Sequence, residues 1–238
     1  MTRSNQLEPP PLCWNWGHGL SSTYSFSHDL VSSEEPRKKW LSSRHPELTW
    51  AFPVQEHGLT LHHVEAASTN LVGDGLFTQS PGVGLGVWGS DCPGLCLSGP
   101  EGWRGIAHCG WRGTSAGLAI KLLKTLSSAS GLPPHAFSAL IGPGISGPCY
   151  EVDQPVLEAY SWPRVALKGE GSKQHLDLSK TIEVQLKKEG VQSIIQTGIC
   201  TYEHPKLHSY RRSGKGLNQL LIMFPCPEVD APPPELNV

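Results

Sequence analysis

The chain has 238 residues and a mass of 25.8 kDa, enough for one large α/β core or two small ones. Its 19 Lys and Arg against 21 Asp and Glu give a net charge of −2 with no long basic run, so a nucleic-acid or anionic-membrane partner has no electrostatic support. Glycine (26) and proline (21) are frequent enough to predict ordered turns rather than long helices.

The first residues, Met1 to Gln6, pass into Glu8-Pro9-Pro10-Pro11 without the apolar core of a signal peptide, and no run approaches the length of a membrane span. Seven cysteines form an odd, unevenly spaced set with no CxxC pair. That pattern predicts free thiols in a reducing compartment, with a cytoplasmic location expected.

Residues 1–50 place Trp14, Trp16, Trp40 and Trp50 among Ser, His, Pro and Gly, which predicts an irregular covering layer. Ser32 to Lys39 reads as a short helix or an exposed loop, with Pro36 tolerated only in a first turn. Leu59 to Val64 alternates as a strand does, and His57 lies just before it beside Gly58. Gly73 to Thr78 is a turn feeding a short strand. Val83 to Trp88, apolar but glycine-rich, reads as a strand closely approached by neighbouring backbone, and it delivers Asp91 and Cys92.

Gly105 to His108 is predicted as a hairpin arm, with Gly99 to Gly102 as its turn. A helix is expected over Ala116 to Leu126 and a strand over Phe137 to Ile141. Val152 to Tyr160 reads as helical and Ala166 to Lys173 as a loop. Leu176 to Gly190 reads as a helix capped near Asp177 or Ser179. Val191 to Gly198 and Leu220 to Phe224 read as strands, and residues 225–238 as a loosely attached tail. Strands alternating with a few helices, with no repeat and no linker, predict an α+β fold in one domain over 1–238.

Chemistry concentrates at strand ends. A hairpin of this length brings Cys92 and His108 together at one end, and His57 at a neighbouring strand mouth is the best third ligand. A His-Cys-His set with a fourth position open has the character of a catalytic zinc site, which lowers the pKa of bound water. The same residues also fit a thiol hydrolase, with Cys92 as nucleophile, His108 or His57 as base, and Asp91 or Asp74 as orienter. His62 and His63 point to opposite faces and read as surface or packing residues, and Cys96 reads as a core thiol. Arg112, Arg211 and Arg212 suit a phosphate, carboxylate or purine edge; Arg112 could equally pair with Asp91 or Asp74. The loop carrying Gly142 and Gly144 could offer backbone N–H groups to an anion, although it is not a P-loop.

Six ordered stretches then stand out: Gln55-Glu56-His57-Gly58, Asp74-Gly75-Leu76-Phe77-Thr78, Asp91-Cys92-Pro93, His108-Cys109-Gly110-Trp111-Arg112-Gly113, Gly142-Pro143-Gly144-Ile145, and Cys200-Thr201 with Ser209-Tyr210-Arg211-Arg212. Over roughly residues 50–224 the chain resembles the family labelled laccase-domain, polyphenol oxidoreductase or multicopper-oxidase-like, now associated with purine nucleoside phosphorylase activity. The resemblance implies a layered α/β/β/α sandwich with mixed sheets and a Zn2+ on His57, Cys92 and His108. It implies phosphorolysis of adenosine, inosine, guanosine and methylthioadenosine to base and ribose 1-phosphate, with adenosine deamination as a further activity. One such site does not supply the histidine clusters of a multinuclear copper oxidase. Asp91 and Arg112 are then the expected catalytic residues, and Arg211, Arg212, Gly142 and Gly144 the expected substrate contacts. The chain is expected as a monomer or homodimer. An interaction protein that keeps the metal pocket without turnover is the non-enzyme alternative. The chain departs from the family near its start, where His18-Gly19-Leu20 is followed by Ser21 to Ser27 instead of an Arg-x-Gly-Gly segment, and near its end, where Gly216-Leu217-Asn218 replaces a Gly-Arg.

Overall fold

The apolar runs assemble into two six-stranded mixed sheets. The structure, a computed structural model, describes residues 12–16, 20–24, 34–170, 173–214 and 218–225. In spatial order the first sheet comprises β1 (Leu12–Trp16), β2 (Leu20–Tyr24), β15 (Gln219–Pro225), β7 (Val83–Gly89), β3 (Thr49–Val54) and β5 (Ser68–Val72). The second comprises β14 (Ser193–Gln196), β10 (Ser138–Ile141), β8 (Gly94–Ser98), β9 (Arg104–His108), β6 (Gly75–Thr78) and β4 (Leu61–His63). A small third sheet joins β11 (Glu151–Val152), β13 (Lys173–Leu176) and β12 (Leu167–Glu170). The helices are α1 (Glu34–Arg44), α2 (Trp111–Ser115), α3 (Leu118–Ser130), α4 (Gln154–Glu158), α5 (Leu178–Lys188) and α6 (Tyr210–Ser213).

Burial defines the layers. Leu76, Leu85, Cys96, Ile106, Leu221 and Met223 form one buried cluster drawn from both large sheets. Leu122, Leu123 and Leu126 of α3 and Ile182 and Leu186 of α5 pack on Leu97, Ala139 and Ile141 of the second sheet. Leu41 of α1 packs on Phe52, Leu220, Ile222 and Phe224 of the first. The order helix, sheet, sheet, helix is the predicted α+β sandwich. Trp40 and Trp50 are partly buried against the α1 cluster, but the expected irregular layer is built largely from regular elements, β1, β2, α1 and the start of β3. The side chains of Trp14 and Trp16, the His18-Gly19 and Ser25 to Ser27 motif positions, Gly216-Leu217 and the tail beyond Pro225 lie outside the described residues.

Four local expectations change. Ala166 to Lys173 is not simply a loop: β12 and β13 pair antiparallel through Leu167↔Leu176, and Leu176 and Ala166 join a satellite core with Trp162. The expected helix from Ala116 is broken at Gly117, whose φ of 85° ends α2 and starts α3 in a new direction. The partner of β9 in the hairpin is β8, whereas β7 belongs to the opposite sheet. Ser68 to Val72, a polar stretch with no alternation, becomes an edge strand by pairing with β3.

The glycines of β7 have a specific cause. A Cβ on Gly84 would lie 2.3 Å from the Trp50 ring and one on Gly86 2.2 Å from the Phe52 ring. The close approach anticipated from sequence is therefore made by aromatic rings of neighbouring β3 rather than by backbone. Trp50, Phe52 and Trp88 form a stacked series, with centroids 6.4 and 5.5 Å apart. Gly86→Ala is expected to cost about 1–3 kcal/mol by overpacking, lowering the thermal midpoint by roughly 3–10 °C for a chain of this size. An unchanged melting curve would show that the rings yield freely.

Candidate metal centre and cavity

The site forms where the chain crosses from one large sheet to the other. β7 ends at Gly89, the crossing carries Asp91 and Cys92, and β8 begins at Gly94. Gly94 faces His108 across the β8–β9 hairpin, so the strand register brings Cys92 and His108 to the same end. His57 arrives on the loop after β3. Gln55 fixes that loop by accepting from the Trp88 amide (2.7 Å) and donating to the Trp88 carbonyl (2.9 Å). The ligating atoms of His57, Cys92 and His108 lie within 4.8 Å of one another, and the imidazoles meet edge to face at 85°. His57 is exposed, Cys92 half-buried and His108 buried.

Asp74 holds this arrangement from behind. It is 0% exposed, and its carboxylate accepts from the amides of Glu56 (3.2 Å), His57 (3.0 Å) and Gly58 (2.6 Å). Its Oδ1 also lies 2.9 Å from His108 Nδ1. A carboxylate only accepts, so Nδ1 carries the proton and Nε2 is left as the ligating nitrogen. His57 adopts φ 62°, a conformation uncommon outside glycine, and the hydrogen bonds to Asp74 hold it there. Sequence reasoning placed Asp74 as an orienter in the thiol reading, as an alternative partner of Arg112 and at the head of the Asp74 to Thr78 stretch, but not as the support behind a metal-ligating His108. The Asp-Gly pair at a strand start was the available signal.

The electrostatics couple the thiol, the imidazole and the carboxylate. Burial pushes the Cys92 thiol up, but hydrogen bonds from His108 and then His57 outweigh it and bring the thiol down to about 7. Burial lowers His108, yet hydrogen bonds to Asp74 and Cys92 raise it to about 9. Burial opposes ionisation of Asp74, and the His108 and Gly58 contacts overcome this and hold its carboxyl below the usual range. Gly110 leaves room for the ligands: a Cβ there would lie 3.0 Å from Cys92 Sγ and 3.1 Å from the His57 ring. That constraint also escaped the sequence reading.

The three ligands open into a cavity of about 890 Å³. Phe52, Trp88, Trp111, Tyr150 and Tyr210 give it aromatic walls, while Asp91, Arg112 and Arg211 add charge. Arg112 lies 4.3 Å over the Trp111 ring, so the alternative pairing with Asp74 or Asp91 is not formed. Arg211 lies 5.2 Å over Tyr150 and donates to the Glu151 carbonyl at 2.8 Å.

Other expected contacts are placed differently. Arg212 donates to the carbonyls of Thr201, Tyr202 and Leu207, so its guanidinium pins the 201–207 turn and does not line the cavity. The Gly142 and Gly144 amides donate to the carbonyls of Gly94 and Ile199, and backbone groups already paired in this way are not available to an anion. Asp91 accepts from Thr201 Oγ1 and from the Arg211 amide, both at 2.7 Å, so both its oxygens anchor neighbouring segments. His62 bonds to the Val72 carbonyl and His63 stacks on Phe77, the packing roles expected of them. Cys96 is 0% exposed in the core.

The residues fit a tetrahedral metal ion. Two imidazoles and a thiolate are common zinc ligands, and Zn–N near 2.0 Å with Zn–S near 2.3 Å puts donors roughly 3.5 Å apart, a separation that the 4.8 Å bound on the three ligand atoms allows. The carboxylate behind His108 is the outer support that metal-ligating histidines usually have. Among the described residues only one other group of three ligating side chains occurs, and it contains no histidine, so a multinuclear copper cluster has no ligand set there.

Fold and site together define a two-sheet α+β protein with a His-Cys-His group that could hold a metal and an aromatic cleft at the sheet crossing. The chain belongs to the family described as multi-copper polyphenol oxidoreductase laccase, whose pattern it matches over residues 28–224. It is 33% identical over 176 residues to the purine nucleoside phosphorylase of Aquifex aeolicus, covering 72% of this chain and 82% of that one. It is 35% identical over 177 residues to the Deinococcus radiodurans protein of the same name, covering 73% and 68%. The crystal structure of YlmD from Geobacillus stearothermophilus has the same fold, with a TM-score of 0.79 at 24% identity over 88% of this chain and 93% of that one.

Proposed function

We propose that this chain is a zinc-dependent purine nucleoside phosphorylase, cleaving adenosine, inosine, guanosine and methylthioadenosine with phosphate, with adenosine deamination as a side activity. The observation that carries the reading is the cavity itself. One space of about 890 Å³ joins the His57, Cys92 and His108 set, flat aromatic walls and two arginines. A purine is flat and stacks on such walls, whereas phosphate requires the arginines. The relatives named purine nucleoside phosphorylase support the same class.

His57, Cys92 and His108 would hold the metal, whose chemistry is to polarise a bound group and stabilise negative charge. Trp88 and Phe52, stacked at 5.5 Å, present a face to the base. Arg112 and Arg211 bind and orient phosphate for attack at the ribose C1 carbon. Asp91 acts in positioning: through the Arg211 amide it sets the start of α6, and through Thr201 it holds the neighbouring turn. Asp74 keeps the His108 proton at Nδ1.

Two observations favour zinc. The second imidazole beside Cys92 has no role in a Cys-His-Asp nucleophile, which needs a single base. A His2Cys copper site usually adds an axial methionine, and the one described methionine, Met223, is buried in the inter-sheet core. The test is a nucleoside panel assayed with and without phosphate, following base, ribose 1-phosphate and ammonia, on protein of measured metal content. Base release is expected to require both phosphate and zinc, and Arg211→Gln to raise the phosphate KM roughly 10–100-fold, the worth of one charged hydrogen bond. Phosphate-independent cleavage, or full turnover after chelation, would overturn the assignment.

A further inference from the structure

Apart from the ligands already described, one other trio of ligating side chains comes together among the described residues: Cys149, Cys200 and Glu203, with their ligand atoms within 4.8 Å of one another. The backbone builds this cluster deliberately. Gly144 and Cys200 form a parallel bridge, secured by Gly144 N–H to the Ile199 carbonyl (3.2 Å) and Thr201 N–H to the Gly144 carbonyl (3.0 Å). The Ser146 amide then donates to Cys200 Sγ at 3.3 Å, and the Cys149 amide closes a turn back onto the Ser146 carbonyl at 3.0 Å. The His204 amide reaches the Cys200 carbonyl at 2.9 Å, making the turn that carries Glu203.

The trio offers donors of the kind a soft divalent cation takes. Two thiols and a carboxylate converge, and none of the ion pairs among the described residues involves Glu203.

We propose that Cys149, Cys200 and Glu203 form a second, peripheral site for a thiophilic divalent cation, zinc being the best match to two sulfurs and one oxygen. Cys149 directly precedes Tyr150 of the cavity wall, and Thr201 holds Asp91. An ion here ties those two segments together, so the site clamps the wall of the cavity from outside. The proposal is independent of the activity assigned above, because it concerns ligands that do not include His57, Cys92 or His108.

The test is anaerobic Zn2+ titration of the reduced full-length chain, with bound metal counted after desalting. Two equivalents are expected for wild type and one for the Cys149→Ser/Cys200→Ser variant. Cys92→Ser should also retain one, which separates failure of the central site from failure of this one. Wild-type protein also gives a readout without substitution: excess Zn2+ should slow alkylation of Cys149 and Cys200 at least tenfold, read by peptide mass spectrometry. Unchanged alkylation, a single equivalent that survives Cys149→Ser/Cys200→Ser, or a Cys149–Cys200 disulfide persisting under reductant would each overturn the proposal.

Discussion

Cys92→Ser is expected to lose the metal of the central site and nucleoside turnover together while keeping the fold. Cys92 supplies the sulfur of the donor set from a crossing segment, and its replacement removes no buried apolar contact of consequence. Zinc held by four ligands gains ~10–16 kcal/mol, or about 3–4 kcal/mol per ligand, so losing the thiolate should weaken binding roughly 10²–10³-fold. Metal content after desalting and the rate of phosphate-dependent base release are the two measurements, with circular dichroism to verify folding. If the variant kept the metal of the central site and lost only turnover, Cys92 would be a nucleophile and not a ligand.

Asp74→Ala is expected to be the most damaging single change for stability. It strips the acceptor from three amides and from His108 Nδ1 at once. Breaking a buried charged network by removing one partner costs about 3–5 kcal/mol, and denaturant unfolding measures it directly. Asp74→Asn should be milder in stability but still weaken metal binding roughly 10–100-fold, the usual effect of losing an outer carboxylate. The pH dependence has a definite sign. Because the folded Asp74 carboxyl is held below its ordinary value, its stabilisation is complete above about pH 4, the unfolded carboxylate value. It is lost as pH falls through the lower folded value. Asp74→Asn should therefore flatten the acid limb of the stability profile; an unaltered acid limb would mean that the network contributes nothing.

Individual strands were legible in the sequence because they are apolar runs bounded by glycine and proline, as in Val83 to Trp88 and Leu220 to Phe224, whereas their stacking into layers was what the family resemblance implied. The convergence of His57, Cys92 and His108 was legible for a related reason: each sits at the mouth of a strand, and the hairpin register could be judged from the turn between Cys92 and His108. What escaped depended on directions that one-dimensional spacing does not carry. Arg211 and Arg212 are adjacent, yet one guanidinium lies over Tyr150 at the cavity and the other is committed to the carbonyls of the 201–207 turn. Gly142 and Gly144 looked available to an anion because a loop's internal hydrogen bonds are invisible until its partners, here Gly94 and Ile199, are known. The β12–β13 pair had no alternation to mark it.

The origin of the three ligands has a mechanical consequence. His57 leaves the first sheet after β3, His108 ends β9 in the second, and Cys92 lies on the segment that passes between them. An ion shared by all three would be a rivet through the mouth of the sandwich, added to the hydrogen bonds by which Asp74 already ties the loop after β3 to the second sheet. Prying the sheets apart at that end would then require stripping the ion, which ties separation of the layers to metal release.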